Sequence, residues 1–345
     1  MKKFKLPRNF NPGAVPDRFD NRDFKYEDIP LGKPVVDFKK GYNVLDALGI
    51  KLKVETQGSS SSCVGQAWSK YAEVLNHVEE KKFVDLSAKS LYEQIFLPSG
   101  GAYLRTGAQA TVNGGVSLET TIPSYQGIEM SDGSTTWNPP TEEYMRTPAI
   151  NDEIRKEMLT YKAKEYRSIG AASPVEYLAN AIMLNHGAVT GARGDNKGWS
   201  TFPIKPPSTS RTWGHAFYFI GFGQDEKGIY FDFINSWGNG WGKGGYGRMY
   251  YDEYNMVQNT FGCWTLVDEK NIIDNNEEED MLKTIKKTGE PEIFFVSPKN
   301  PKKLFWIGGW ETYQMMVNEG IAKPHEEIAS LDGYEIVWSP WGFIK

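Results

Sequence analysis

Apolar positions recur at helical spacing directly after Cys63. Val64, Ala67, Trp68, Tyr71, Leu75 and Val78 follow the i, i+3, i+4 rule and stop at Glu79-Glu80-Lys81-Lys82, which predicts an amphipathic helix opening at the cysteine. Shorter helical patterns follow Ser87 (Leu91, Ile95) and Ser117, and another runs from Pro174 to Leu184, stopped by Asn185-His186-Gly187. From about residue 188 the texture changes to short β-rich runs: 187–191, His215 to Phe222 and Ile229 to Ile234, with Asp225-Glu226-Lys227-Gly228 as a turn between the last two. Helices first and strands second predict an α+β architecture rather than alternating βαβ units. Residues 1–50, rich in Pro, Asp and Asn, read as an extended arm, and 51–270 as the main domain. Residues 271–289, which include the acidic run 274–280, read as a linker, and 290–345 as a small α+β module. That module has strands at Ile293 to Val296, Leu304 to Ile307 and Tyr334 to Trp338, and a helix from Thr312 to Asn318.

Composition narrows the function classes. With 39% hydrophobic and 14% aromatic residues the chain is globular, and 345 residues suit about two domains. The first 270 residues hold 31 basic and 31 acidic side chains, so the net charge of −5 arises in the last 75. No basic patch with interleaved aromatics points to nucleic acid. No apolar run approaches the roughly 18 residues that cross a bilayer, and no export signal is recognisable, so no membrane is expected as a partner. Two cysteines, Cys63 and Cys263, do not make a disulfide framework, and they place the protein in a reducing compartment, cytoplasmic or virus-associated. Without a CxxC pair, an HExxH or a GxxxxGK[ST], the sequence implies no metal and no cofactor.

The chemistry concentrates in three places. A hairpin turning at 225–228 sets His215 and Asn235 nearly opposite one another, so the amide can accept the ring N–H and leave the other nitrogen free to take a proton. Cys63, after four serines and at a helix N-terminus, is the nucleophile candidate, with helix dipole and imidazolium both favouring thiolate. Gln57, six residues upstream, can aim its amide beside the Cys63 N–H to make an oxyanion hole.

These residues resemble the papain-like cysteine peptidases. Gln57-Gly58 with Cys63, Gly214-His215-Ala216, Asn235-Ser236-Trp237-Gly238 and the trailing Gly240-Trp241-Gly242 and Gly245-Tyr246 occur in that family's order. The resemblance spans roughly residues 15–268. It implies a two-lobed fold, a helical lobe followed by a β-barrel-like one, with the site between them. It also implies hydrolysis of peptide or protein substrates through a thioester, with Cys63 as nucleophile, His215 as base, Asn235 as its orienting partner and Gln57 as oxyanion donor. Trp237 would shield the His–Asn bond, and Gly114, Gly115 and Gly214 would bind substrate, with Gly115 as main-chain clamp. Val15-Pro16-Asp17 to Asn21-Arg22-Asp23 is similar to the leader of bacterial-type members, and the C-terminal module weakly resembles units appended to bacterial and phage proteins. Val64, Ser60 and Ser61 stand where plant and lysosomal members have Trp, Cys and Gly, and no helical prosegment is evident; the arm is the only room for latency. The alternative is a silent papain-like scaffold that binds a protein partner through the C-terminal module, whose late aromatics read first as a core and second as an anchor.

Overall fold

The computed structural model describes residues 4, 6, 11–18, 20, 23–26, 36–129, 135–170, 173–254, 261–267, 284–297, 300–306, 313, 314, 325–332 and 334–337. Two compact units result, Met1–Ile272 and Ile273–Lys345.

Helices of the first unit are α1 (Val44–Leu48), α2 (Cys63–Glu80), α3 (Ala88–Ile95), α4 (Leu104–Asn113), α5 (Glu142–Arg146), α6 (Asp152–Met158) and α7 (Val175–Leu184). Its strands are β1 (Ala14–Val15), β2 (Tyr42–Asn43), β3 (Ala102–Tyr103), β4 (Gln126–Glu129), β5 (Thr135–Asn138), β6 (Glu165–Ser168), β7 (Ala188–Gly194), β8 (Trp213–Asp225), β9 (Gly228–Ile234), β10 (Tyr246–Tyr250) and β11 (Cys263–Val267). The second half forms one sheet in the order β10-β9-β8-β7-β11-β6, with β2 added on β8. Helical lobe and sheet lobe meet along α2, which packs on α3 and α4 on one side and on β7 and β8 on the other.

That position explains a departure from the amphipathic reading of α2. Every residue from Cys63 to Asn76 is buried, including Gln66, Ser69, Lys70 and Glu73, so the polar stripe faces protein rather than water. Lys70 Nζ, on a residue 4% exposed, bonds Glu73 at 2.7 Å and Glu55 at 3.4 Å. Burial pushes the Glu73 carboxyl up to about 8 against the pull of the Lys70 ammonium. Removing one partner of a buried pair strands the other charge, so Lys70→Met is expected to cost about 3–5 kcal/mol. The loss should deepen as pH rises, because Glu73 without its ammonium stays buried only when protonated; urea unfolding at two pH values reads it.

The helix expected after Ser117 does not form. Leu118 instead bridges Leu86, and the Ser117 N–H bonds Ser90 Oγ at 3.1 Å. The helical turns lie upstream in α4, whose inner face is built on Gly107 and Ala108. A Cβ on Gly107 would come 2.3 Å from the Trp68 ring, so close packing requires a residue that leaves no hydrophobic mark in the sequence. The arm also differs from a wholly extended reading: Asn43 caps α1 through Oδ1, which accepts from Leu45 N–H at 2.9 Å, and Gly49 ends it at φ 65°.

In the second unit, β12 (Thr284–Lys287), β13 (Ile293–Ser297), β14 (Asn300–Trp306), β15 (Glu326–Ile328) and β16 (Glu335–Val337) form a sheet ordered β15-β12-β13-β14-β16. Ile285, Phe294 and Leu304 make its core, with Tyr334 packed against it. Tyr313 is buried and its hydroxyl meets His325 Nδ1 at 2.9 Å, so of these two late aromatics Tyr313 is core and Tyr334 lies at its margin. The acidic run 274–280, most of the expected Thr312 to Asn318 helix, and Trp310, Trp338 and Trp341 fall outside the described residues. Among the described residues no helix is long and apolar enough to cross a membrane.

Candidate active site

Cys63 is the first residue of α2 and fully buried. The run before it is a wired turn rather than a loose linker. Gly58 takes φ 56°, Ser60 Oγ donates to the Gln57 carbonyl at 2.7 Å, and the Ser61 N–H donates to Glu142 Oε2 at 2.5 Å. Glu142, carried by α5, also accepts the Tyr92 hydroxyl at 2.7 Å, so α3 and α5 together hold the strand that presents the cysteine. Gln57 reaches across to the sheet lobe: its N–H donates to the Ser236 carbonyl at 2.8 Å and its Oε1 accepts from Ser236 Oγ at 2.7 Å. With Oε1 so occupied, Nε2 turns outward and donates to the Ser60 and Asn11 carbonyls at 2.9 and 2.8 Å.

His215 and Asn235 meet as a hydrogen-bonded pair, His215 Nε2 to Asn235 Oδ1 at 2.7 Å, though not as directly opposed residues. Asp225 pairs Gly228 across a two-residue turn, and a register shift between Phe219 and Gly221 leads to Tyr218 against Ile234. Continued one step, that register sets Asn235 across from Phe217, with His215 two residues further along the same face. The amide bridges this diagonal, a reach open to longer side chains on one sheet face. Its orientation is decided by a backbone group. The Ser236 N–H, which can only donate, also bonds Asn235 Oδ1 at 2.8 Å. The shared atom is therefore the carbonyl oxygen, His215 Nε2 must carry the proton, and Nδ1 is left as the basic nitrogen. That Nδ1 is buried and bonded to no protein group. Trp237 packs on the imidazole with centroids 4.5 Å apart, and Trp199 meets it edge-on at 5.5 Å.

Residues 11–15 of the arm lie across this site. The Asn11 carbonyl takes the Gln57 Nε2–H, and the N–H groups of Gly13 and Ala216 donate toward the Cys63 sulfur. A Cβ on Gly13 would come 1.8 Å from the Ser61 oxygen. Glycines from both lobes admit the strand: a Cβ on Gly101 would lie 2.2 Å from the Gly13 oxygen, and one on Gly214 would lie 2.4 Å from the Ala14 oxygen. β1 then runs parallel to β3, with Ala14 against Ala102. Gly214 thus sits where an extended chain passes.

Gly114 and Gly115 do not. They close α4, where added Cβ atoms would strike Gln94 and the Met158 carbonyl, and Gly115 adopts φ 72° to turn the chain. The glycine pair that meets the arm is Gly100-Gly101, where added Cβ atoms would face Ser61 and Gly13. Pro98-Ser99-Gly100-Gly101 carried the same signal in the sequence, while Glu142, Trp199 and the Asn11–Gly13 crossing had none.

Electrostatics in this closed arrangement oppose the thiolate expected from the sequence. Burial pushes the Cys63 thiol up to about 11, against the N–H groups aimed at its sulfur, and pulls His215 down to about 4, against its bond to Asn235. A helix N-terminus contributes about 0.3–1 kcal/mol, less than one pKa unit. Desolvation under the arm therefore wins, and both partners are held neutral. Cys263, half-buried, is pushed to about 12 by the same cause.

The family model of the papain family cysteine proteases matches residues 47–263, more than half the chain. The chain belongs to that family. It is 26% identical over 205 residues to cysteine proteinase 3 of Dictyostelium discoideum, a match covering 57% of this chain and 54% of that protein. Zingipain-2 of Zingiber officinale is 24% identical over 208 residues, 58% of this chain and 82% of that one. Among solved structures, xylellain, a cysteine protease from Xylella fastidiosa, superposes with TM-score 0.56 at 21% identity, covering 77% of this chain and 97% of its own. At that identity the likeness speaks for the papain-like fold. The chain spans about half the length of the Dictyostelium relative.

Proposed function

We propose that this papain-family chain is a cysteine peptidase that hydrolyses peptide or protein substrates through Cys63 and His215. The observation that carries the reading is the tautomer fixed at Asn235. With Nε2 bound as a donor, His215 Nδ1 can accept the thiol proton of a cysteine that lies against the neighbouring Ala216 peptide. Once the arm withdraws, the Cys63 sulfur attacks the substrate carbonyl as its proton passes to Nδ1. Gln57 Nε2–H and the Cys63 N–H hold the oxyanion, a donor of this kind being worth about 10²–10³ in rate. The C–N bond then breaks as Nδ1–H protonates the leaving amine. Water, giving a proton to Nδ1, attacks the thioester, and the C–S bond breaks to restore the pair.

Gly101 and Gly214 would flank the substrate strand, and Trp237 would keep water from the His215–Asn235 bond. Two free thiols, Cys63 and Cys263, suit a reducing compartment, cytoplasmic or virus-associated. Alkylation with an epoxide probe tests the reading on a chain uncovered by deleting residues 1–18: labelling should favour Cys63 over Cys263 at about pH 6 and be lost when His215→Ala is added. Equal, slow labelling of both thiols that rises only at alkaline pH would refute it. Asn235→Ala should lower kcat about 10–10²-fold without abolishing turnover, since it removes orientation and not the base itself; an unchanged kcat would mean that another group orients His215.

A further inference from the structure

Asn235 has a second face. Its Oδ1 is committed to His215 and Ser236, while Nδ2 is buried without a protein partner. Behind it, the inner side of α2 and the start of the loop leading to Gln57 enclose a small cavity whose wall includes Glu55, Gln66, Lys70, Phe217 and Asn235. The space open to the centre of a water molecule is about 10 Å³, close to the least that houses one water. Gln66 is 2% exposed, and both its Oε1 and Nε2 lack protein partners. A buried amide with neither end satisfied is rare, and a polar cavity that fits one water is the usual resolution.

We infer that this cavity binds one water that accepts from Asn235 Nδ2 and donates to Gln66, making Gln66 a positioning residue for the His215–Asn235 pair. The inference rests on the peptidase reading for its consequence, though not for the water itself. The water casts a second vote on the orientation of the amide. Were the Asn235 side chain to flip, Nδ2 would face His215 Nε2–H donor to donor, and the ring would hold its proton on Nδ1, where it cannot take one from a thiol. The Ser236 N–H opposes that flip from one side, and the water opposes it from the other. The two votes also reinforce each other as charge develops on the imidazole. A stronger bond into Oδ1 polarises Nδ2–H, which then needs an acceptor. Glu55, on the same wall, supplies an acceptor for the water's other hydrogen, giving it the three partners usual for buried water. Gln66 lies one turn below Cys63 on the buried stripe of α2, so the helix that presents the nucleophile also sets the base.

Two measurements on the full chain decide it. A high-resolution crystal structure should show an ordered water within hydrogen-bonding distance of both Gln66 and Asn235, absent in Gln66→Leu; a dry cavity in the unaltered protein overturns the inference. The rate of Cys63 alkylation at about pH 6 should fall about fivefold in Gln66→Leu and not change further when the same substitution is made in Asn235→Ala. Equal losses in both backgrounds would show a general packing effect, and no loss in either would remove Gln66 from the reaction. Should Cys63 react no faster than Cys263 even with residues 1–18 removed, the peptidase reading fails and the positioning role with it, while the electron density still settles the water.

Discussion

Cys63→Ala is expected to abolish the proposed peptide hydrolysis, leaving a rate at least about 10⁴-fold below that of the unaltered chain, and to move the unfolding free energy by no more than about 1 kcal/mol. The two halves of that expectation come from different features. Hydrolysis goes because no second thiol can substitute: Cys263 is on β11, pushed to about 12 by burial, with a side-chain bond to Thr190. Stability stays because the turn that holds residue 63 does not depend on sulfur. Ser60, Ser61 and Ser62 are fixed by Gln57 and Glu142 and by the 2.7 Å bond between Ser60 Oγ and Ser62 Oγ, and alanine at the first position of a helix is well tolerated. Cleavage retained by a preparation free of other proteases would move the chemistry elsewhere. A large drop in the unfolding midpoint would instead mean that the sulfur is structural, and activity loss would then say little about the nucleophile.

What could be read from the sequence followed from how locally each feature is encoded. Gln57, Cys63, His215 and Asn235 were legible because each stands at an element boundary with a marked neighbourhood: serines before a helix, a glycine opening a strand, an amide ending its partner. The hairpin was legible too, but its register was not. The turn sets Asp225 against Gly228, which carries Asn235 away from direct opposition with His215, and the bulge between Phe219 and Gly221 takes back one residue of that offset; nothing in the aromatic run announces either. The glycine pair expected beside the extended chain was misplaced for a related reason. Gly114-Gly115 and Gly100-Gly101 are alike as dipeptides, and only the fold decides which pair has a strand beside it and which one ends α4. The buried Lys70–Glu73 pair was not legible because helical periodicity records hydrophobic positions and is silent about ion pairs that tertiary packing covers. The ionisation of the dyad in the covered state was not legible at all. A thiol at a helix N-terminus reads as acidic until one knows that residues 11–15 lie on it.

Deleting residues 1–18 is expected to raise the rate of Cys63 alkylation and of peptide cleavage about 10²-fold. A tethered segment meets its site at an effective concentration of about 1 mM, so even an intrinsic affinity of about 10 μM leaves only about 1% of molecules open. Gly13→Val should act in the same direction with the arm still attached, because its Cβ would sit 1.8 Å from the Ser61 oxygen. Equal rates for all three proteins would show that the arm does not restrict the cleft. The dependence on pH separates two opposing groups. Burial, to which the docked arm adds, lowers His215 from 6.5 to about 4, and the docking contribution this makes is fully present above 6.5 and lost as pH falls through 4. Asp17, which accepts the Trp264 Nε1–H at 2.8 Å and the Arg105 N–H at 3.2 Å, is raised from 3.8 to about 6 by burial. Its contribution is present below 3.8 and lost as pH rises through 6. The two groups oppose one another, so suppression by the arm should depend on pH less steeply than either group alone would make it. Asp17→Asn removes one side of that balance and should yield a chain whose Cys63 becomes progressively easier to label, relative to the deletion, as the pH is lowered. A ratio that stays flat in Asp17→Asn would mean that His215 does not remain neutral beneath the arm.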